Sequence, residues 1–286
     1  MPPLTNAIQV LPPEGNEEEV EDIFASAPGL IFPDDTRNSH GDAGATIVYK
    51  SARFGEVELK TADPVGEGER LLFGHYLWNA GIKLAGLVGE EGDHGGEEGL
   101  KWRVEGEDVL ELGSGVGLVG IVATLAGAKR VVLSDYPAPA GLDNLRQNAA
   151  RAIPAHLTGA YRIQGHQWGE LTSTFAQDNQ HAFTRILAAD CLWMSHQHLN
   201  LVHSILHFMT LDPAGRALVV AGFHTGRETL AAFFDICAEQ GLSMEEIYEE
   251  DVHGVKKEWV RERTDGATEN VTERKQWLVI ARLKRA

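Results

Sequence analysis

DVLELGSGVGLVG, residues 108–120, starts as a strand, breaks into glycine and resumes as a helix. Val109, Leu110 and Leu112 surround Glu111 in a short apolar run. Gly113, Gly115 and Gly117 follow at alternate positions, and residues 118–126 are mostly apolar. Glycines so closely set cost conformational entropy, so a chain that keeps them needs positive φ or the missing side chains. A strand, a glycine turn and a helix bring the free N–H groups of a helix N-terminus up to a ligand. The stretch reads as a nucleotide-type cofactor site.

Asp135 closes the next apolar run, residues 130–134. It stands about 20 residues beyond the first glycine, where an acid beside the turn accepts both hydroxyls of a ribose. Two cofactor classes share this arrangement. Gly115-x-Gly117-x-x-Gly120 matches the dinucleotide fingerprint and leaves an NAD-dependent oxidoreductase open. The other class uses S-adenosylmethionine.

Composition narrows the field. The chain has 286 residues, 43% of them hydrophobic, which is one large domain with a sizeable core and is not a disordered chain. Its 42 acidic against 25 basic residues give a net charge of −17. That balance argues against nucleic acid as a partner, since backbone binding rests on Lys and Arg; it suits a basic target better, and a solvated acidic surface is the plainer account of it. With Cys191 and Cys237 alone there is no disulfide framework. The N-terminal residues show no basic segment followed by an apolar core, and the longest apolar run, residues 71–88, carries His75, Asn79 and Lys83. The expectation is a cytoplasmic protein that does not enter membranes.

Along the chain, residues 1–22 are rich in Pro and Glu and read as a disordered tail. Residues 23–68 read as a β-rich extension, with strands at 46–49 and 56–59 forming a hairpin or adding to a sheet edge. Residues 69–88 follow a rough helical stripe, and 89–99 form an acidic, glycine-rich surface loop. Beyond the glycine turn, strands alternate with helices: strands at 130–134, 160–164, 185–189 and 217–222, and helices at 138–152, 196–209 and 227–240. Two strands, 243–249 and 276–282, end the pattern. Repeated βα units imply a parallel sheet with helices on both faces and a ligand at its carboxyl edge. The fold expected for residues 69–286 is a Rossmann-like α/β domain with a seven-stranded, mostly parallel sheet and a terminal antiparallel hairpin.

The order of several motifs carries a resemblance. Glu111 at the strand end, with ELGSGVG, resembles the first motif of class I methyltransferases that use S-adenosylmethionine. GHYLWNAG (74–81), Asp135-Tyr136-Pro137, Trp168 in HQWGE and AADCLW (188–193) follow at the intervals seen in the lysine-methyltransferase group of seven-β-strand enzymes. The closest branch is the fungal one described as elongation factor 1-alpha N-terminal and lysine methyltransferases, also labelled nicotinamide N-methyltransferase-like. The resemblance covers about residues 70–210 closely and the remainder only in pattern.

What the resemblance implies can be carried over position by position. Trp78 touches the cofactor, Glu111 belongs to the first motif, and Gly113, Ser114 and Gly115 hold the methionine end. Asp135 holds the ribose, Trp168 flanks the adenine, and Ala189 lines the same pocket. Asp190 starts the family's motif of an acid, two residues and then Tyr or Phe, which here ends in Trp193. The indole keeps a flat wall but is larger and lacks a hydroxyl, a change that bears on the methyl acceptor more than on the reaction. Asp190 and Trp193 are the expected catalytic pair. Without an Asn-Pro-Pro-Tyr-like segment, methylation of Gln or of adenine is disfavoured.

The remaining candidates read more plainly. His196, His198, His203 and His207 lack a spaced carboxylate or thiol to complete a metal set, and a polar helix face with Ser195 as N-cap accounts for them. Cys191 reads as buried. Lys256, Lys257, Arg261, Arg263, Arg274 and Lys275 lie among acids and read as a solvated loop or substrate rim. The expected reaction is attack of a neutral amine on the methyl group of S-adenosylmethionine. The expected acceptor is a protein lysine or N-terminus, elongation factor 1-alpha among the candidates, with a nicotinamide-like small molecule as the alternative.

Overall fold

The computed structural model describes residues 4–11, 38–63, 74, 76–90, 97–262 and 274–286. In chain order the first strands are β1 (Ile8–Leu11), β2 (Ser39–His40), β3 (Thr46–Ser51), β4 (Gly55–Lys60) and β5 (Leu77–Trp78). Helix α1 (Asn79–Gly89) and a single helical turn at Glu97–Leu100 precede the repeating part. That part runs β6 (Asp108–Leu112), α2 (Leu118–Leu125), β7 (Arg130–Asp135), α3 (Pro139–Ala152), β8 (Tyr161–Gly165), α4 (Thr174–Asp178) and β9 (Arg185–Ala189). It continues with α5 (His198–Phe208), β10 (Arg216–Gly222), α6 (Arg227–Glu239), β11 (Leu242–Asp251), β12 (Lys256–Glu258) and β13 (Trp277–Arg285).

The large sheet has the order β12-β11-β13-β10-β9-β6-β7-β8. Strands β6 to β10 are parallel, and β13 lies antiparallel between β10 and β11. The seven strands expected are all present, and the eighth, β12, is a three-residue edge addition to β11. β12 corrects the expectation of a solvated loop around Lys256 and Lys257. Lys257 Nζ stands 3.3 Å from the centre of the Trp277 ring and 3.0 Å from Glu249. Arg263 lies outside the described residues.

Strand alternation sorts the core into two layers. In β10, Leu218 and Val220 face α1 and α2, whereas Ala217, Val219 and Ala221 face α5 and α6. In β13, Leu278 and Ile280 point one way and Val279 and Ala281 the other. Strands covered on both faces therefore read as continuous apolar runs, as RALVVAG does. The chain adds strands outward from β6 to β8, then returns to the other side of β6 with β9. That reversal opens a crevice at the carboxyl ends of β6 and β9.

A separate antiparallel sheet, β1-β3-β4, packs Ile47, Tyr49, Val57 and Leu59 into the layer that holds α1 to α3. Asn148 of α3 clamps it, accepting the Lys60 N–H and donating to the Lys60 carbonyl, both at 2.8 Å. The hairpin expected at 46–59 is present. Leu4 to Leu11, within the stretch expected to trail, instead form a 3-10 turn and β1, and Leu4 is buried. Residues 12–22 of that tail and 91–96 of the acidic loop lie outside the described residues.

Among the described residues the helix expected at 69–88 begins at Asn79; residues 69–73 and 75 lie outside them. Leu77 and Trp78 are extended and pair with β2, and the Asn79 N–H donates to the Asn38 carbonyl at 2.9 Å. Every residue of α1 is buried, so it has no polar face to define a stripe. Among the described residues no helix is long and apolar enough to cross a membrane.

Candidate active site

The glycine turn is tied to the neighbouring strand before any ligand is considered. The N–H groups of Gly113 and Ser114 both donate to the Ser134 carbonyl, at 2.9 and 3.0 Å, and Ser134 Oγ donates to the Glu111 carbonyl at 2.6 Å. Gly113 has φ of +74°, and a side chain there would meet Cys191 Sγ at 2.8 Å and the Trp168 ring at 3.2 Å. Gly117 has φ of +92° and stands at the N-cap of α2, where a Cβ would lie 2.4 Å from Leu145 Cδ1. Only glycine meets both demands at these two positions.

Asp135, at the end of β7, uses both carboxyl oxygens on the turn. Oδ2 accepts the Gly115 N–H at 2.6 Å, and Oδ1 accepts the Tyr136 N–H at 2.7 Å. Burial raises its pKa, against these two donors. Glu111 lies beneath the turn, accepts the Gly120 N–H at 3.0 Å, and has its pKa pushed by burial up to about 8.

Trp78, Glu111, Gly113, Ser114, Gly115 and Asp135 line one cleft of about 670 Å³ together with Trp168, Ala189, Asp190 and Trp193. Ten residues read from five separate stretches of sequence are thus brought to one place. Asp190 adopts left-handed φ of +57°, a strained conformation for a residue other than glycine. Its N–H donates to the Val220 carbonyl at 2.8 Å, and its Oδ1 accepts the Gly222 N–H at 2.9 Å. Burial raises the carboxyl pKa, opposed by His224 and by that N–H.

The sequence reading singled out neither of two histidines here: His166 lines the cleft, and His224 lies outside its lining. His166 is buried, its pKa pushed down to about 4 by burial, and its N–H donates to the Asp135 carbonyl at 2.8 Å. His224, just past β10, stacks on Trp78 with ring centres 5.1 Å apart. Position at the carboxyl end of a parallel strand was the signal available for His224. Of the four histidines considered for a metal, His196 lines the cleft and the other three have local partners. His198 Nε2 contacts the Leu192 carbonyl at 2.8 Å, His203 meets Gln240, and His207 Nε2 meets the Ala176 carbonyl at 2.8 Å. Ser195 is not the N-cap of α5: residues Ser195–Gln197 form a 3-10 turn and Gln197 takes that position. Cys191 is buried and donates to the Leu112 carbonyl at 3.1 Å, its pKa well above the ordinary thiol value.

The donor set suits S-adenosylmethionine. Ser114 Oγ is buried at the turn and faces the Glu111 carboxyl without a hydrogen bond of good geometry. The side-chain-free Gly113 and Gly115 leave a cradle, an acid stands where a diol would bind, and indoles flank the space. A glycine turn at the switch point, an acid on the next strand and an antiparallel terminal hairpin define a class I methyltransferase. The family model described as lysine methyltransferase matches residues 59–240, and the chain belongs to that family.

Relatives and solved structures agree. The protein N-terminal and lysine N-methyltransferase of Schizosaccharomyces pombe is 34% identical over 191 residues, covering 64% of this chain and 70% of that protein. Its namesake in Candida glabrata is 33% identical over 184 residues, covering 63% and 68%. A structure assigned as a methyltransferase and complexed with SAH superposes with a TM-score of 0.55 at 11% identity, covering 93% of this chain and 66% of that one. One assigned as an RNA methyltransferase, from Pyrococcus horikoshii, gives 0.52 at 14% identity, covering 80% and 93%. The protein is an S-adenosylmethionine-dependent methyltransferase. The dinucleotide reading of Gly115-x-Gly117-x-x-Gly120 falls with that assignment, and Gly120 is explained by crowding: a Cβ there would lie 2.6 Å from Glu111 Oε2.

Proposed function

We propose that the enzyme methylates a protein amine, a lysine side chain or an N-terminus, in the cytoplasm, with elongation factor 1-alpha as the first acceptor to test. The observation that carries this reading is the buried Asp190 carboxyl in the same cleft as the glycine turn and Asp135. The relatives' names, protein N-terminal and lysine N-methyltransferase, support the acceptor class. The net charge of −17 suits a basic target.

S-adenosylmethionine supplies a methyl group already activated on a sulfonium. The protein's part is to bind, align and keep water out. Asp135 is assigned to the ribose hydroxyls, Gly113, Ser114 and Gly115 to the methionine end, Trp168 and Ala189 to the adenine, and Trp78 to the cofactor's reactive side. Glu111 holds the turn through Gly120. Asp190 accepts an N–H of the neutral acceptor amine and holds its lone pair in line, while Trp193 walls the entry. We assign the β1-β3-β4 sheet to an extension that buttresses α3, and residues 69–286 to the catalytic domain.

Calorimetric titration with S-adenosylhomocysteine, beside Asp135→Ala, tests the cofactor half. The substitution removes charge-assisted hydrogen bonds and weakens binding by roughly 10- to 100-fold. Labelled methyl transfer to recombinant elongation factor 1-alpha, with nicotinamide in parallel, tests the acceptor. Transfer to nicotinamide with none to the protein would overturn the protein-amine reading.

A further inference from the structure

His224 occupies the 3-10 turn Phe223–Thr225 directly after β10, and two separate contacts converge on its ring. One face stacks on Trp78 at an interplanar angle of 24°. Nδ1 stands 3.9 Å from Asp190 Oδ1, and it is buried with no hydrogen-bond partner. Gly222 makes room for this arrangement. A Cβ there would come within 2.9 Å of His224 Nδ1 and 3.6 Å of Asp190 Oδ1, so a side chain at 222 would push the imidazole off the strand end.

Each contact has a consequence for alignment. An imidazole carrying a proton on Nδ1 can donate from it, and a closure of about 1 Å would bring the Asp190 carboxyl within hydrogen-bond reach. Asp190 Oδ1 is held from behind by the Gly222 N–H at 2.9 Å, so a second donor at Nδ1 would fix the plane of the carboxyl. The ring's other service is to Trp78, whose indole stacks on the imidazole and makes a T-shaped contact with Tyr76.

We propose that His224 is a positioning residue for methyl transfer, seating the Trp78 indole on the cofactor side and orienting the Asp190 carboxylate toward the acceptor amine. This rests on the roles given above to Trp78 and Asp190. Among the described residues, these charged and titratable groups face the pair. Cys191 follows Asp190 and is itself faced by Glu111 and Asp135, Arg274 donates to the His224 carbonyl at 3.4 Å, and Tyr76 meets Trp78. His224 lowers the Asp190 pKa against the burial that raises it. Because the carboxylate is the working form, loss of His224 shifts the acid limb of the rate profile toward higher pH.

Two substitutions separate the two services. His224→Phe keeps a stacking ring and removes the nitrogen. His224→Asn places an amide near Nδ1 and removes the stacking. His224→Phe is expected to keep wild-type affinity for S-adenosylhomocysteine while kcat on elongation factor 1-alpha falls by about 100-fold, the scale of a 1 Å misalignment. Its acid limb moves up in pH. His224→Asn is expected to restore most of kcat, and to weaken S-adenosylhomocysteine by roughly 2- to 10-fold, the worth of one aromatic pair. Binding of S-adenosylhomocysteine also shows that each variant is folded. A His224→Phe enzyme with wild-type kcat and an unmoved acid limb overturns the proposal. If the wild-type enzyme itself transfers no methyl group to the protein, the acceptor assignment has failed. The affinities of the two variants then still decide the Trp78 contact, and equal affinities overturn it.

Discussion

Glu111 makes the cofactor turn depend on pH in a direction that is unusual for a carboxylate. It is 1% exposed, and burial moves its pKa from 4.5 up to about 8. An acid that holds its proton more tightly when folded contributes stability that is fully present below pH 4.5 and is lost as the pH climbs through about 8. At pH 7 the loss amounts to about 3 kcal/mol, at about 1.4 kcal/mol per pKa unit. Glu111→Gln removes the ionisation, keeps an oxygen for the Gly120 N–H, and offers its amide to the Ser114 hydroxyl. The variant should therefore melt higher than the wild type at pH 7, by roughly 6–12 °C for a domain of this size, with the gap closing near pH 4.5. Thermal unfolding of both proteins without cofactor, followed by circular dichroism from pH 4.5 to 8.5, measures this. Two melting curves that stay parallel across that range, or a variant less stable than the wild type at pH 8, would refute the reasoning.

Two further expectations concern packing and charge. Gly117→Ala forces a left-handed residue to carry a Cβ 2.4 Å from Leu145 Cδ1, and urea unfolding should show a loss of about 2–5 kcal/mol. Lys83 Nζ and Glu250 Oε1 form a buried pair at 2.7 Å, so Lys83→Met should cost about 3–5 kcal/mol by leaving a buried charge, while Lys83→Met with Glu250→Leu should recover most of it. A double variant as unstable as the single one would show that the pair is not the source of the loss.

The parts of the site that could be read in the sequence are those confined to one βα unit. Glu111, the three glycines and Asp135 lie within residues 111–135, and their spacing alone places a turn beside an acid. The boundaries of β6, β7 and β9 and of α3 were equally legible, because buried parallel strands and long helices declare themselves by apolar runs. Trp78 was legible only through resemblance. Its local sequence suggests a helix, and what makes it extended is a two-residue pairing with Ser39 and His40, far away in the chain. A pairing so short leaves no periodicity to find.

Sequence distance explains the rest in the same way. His224 meets Trp78 and Asp190 only because β10 ends beside β9 and the segment before α1 folds over both. Lys83 finds Glu250 from a position 167 residues away. Lys256 and Lys257 became strand β12 because β11 offers a free edge and Glu249 a buried carboxylate, neither visible in their own neighbourhood. On the roles proposed above, the cofactor end of the cleft is therefore built mostly from one local unit, and the acceptor end from contacts across the sheet. On the same proposed roles, substitution of Trp193 would change which amine is taken without disturbing the turn, Glu111 and Asp135. A family that keeps its methyl donor and varies its acceptors would be expected to divide its residues in this way.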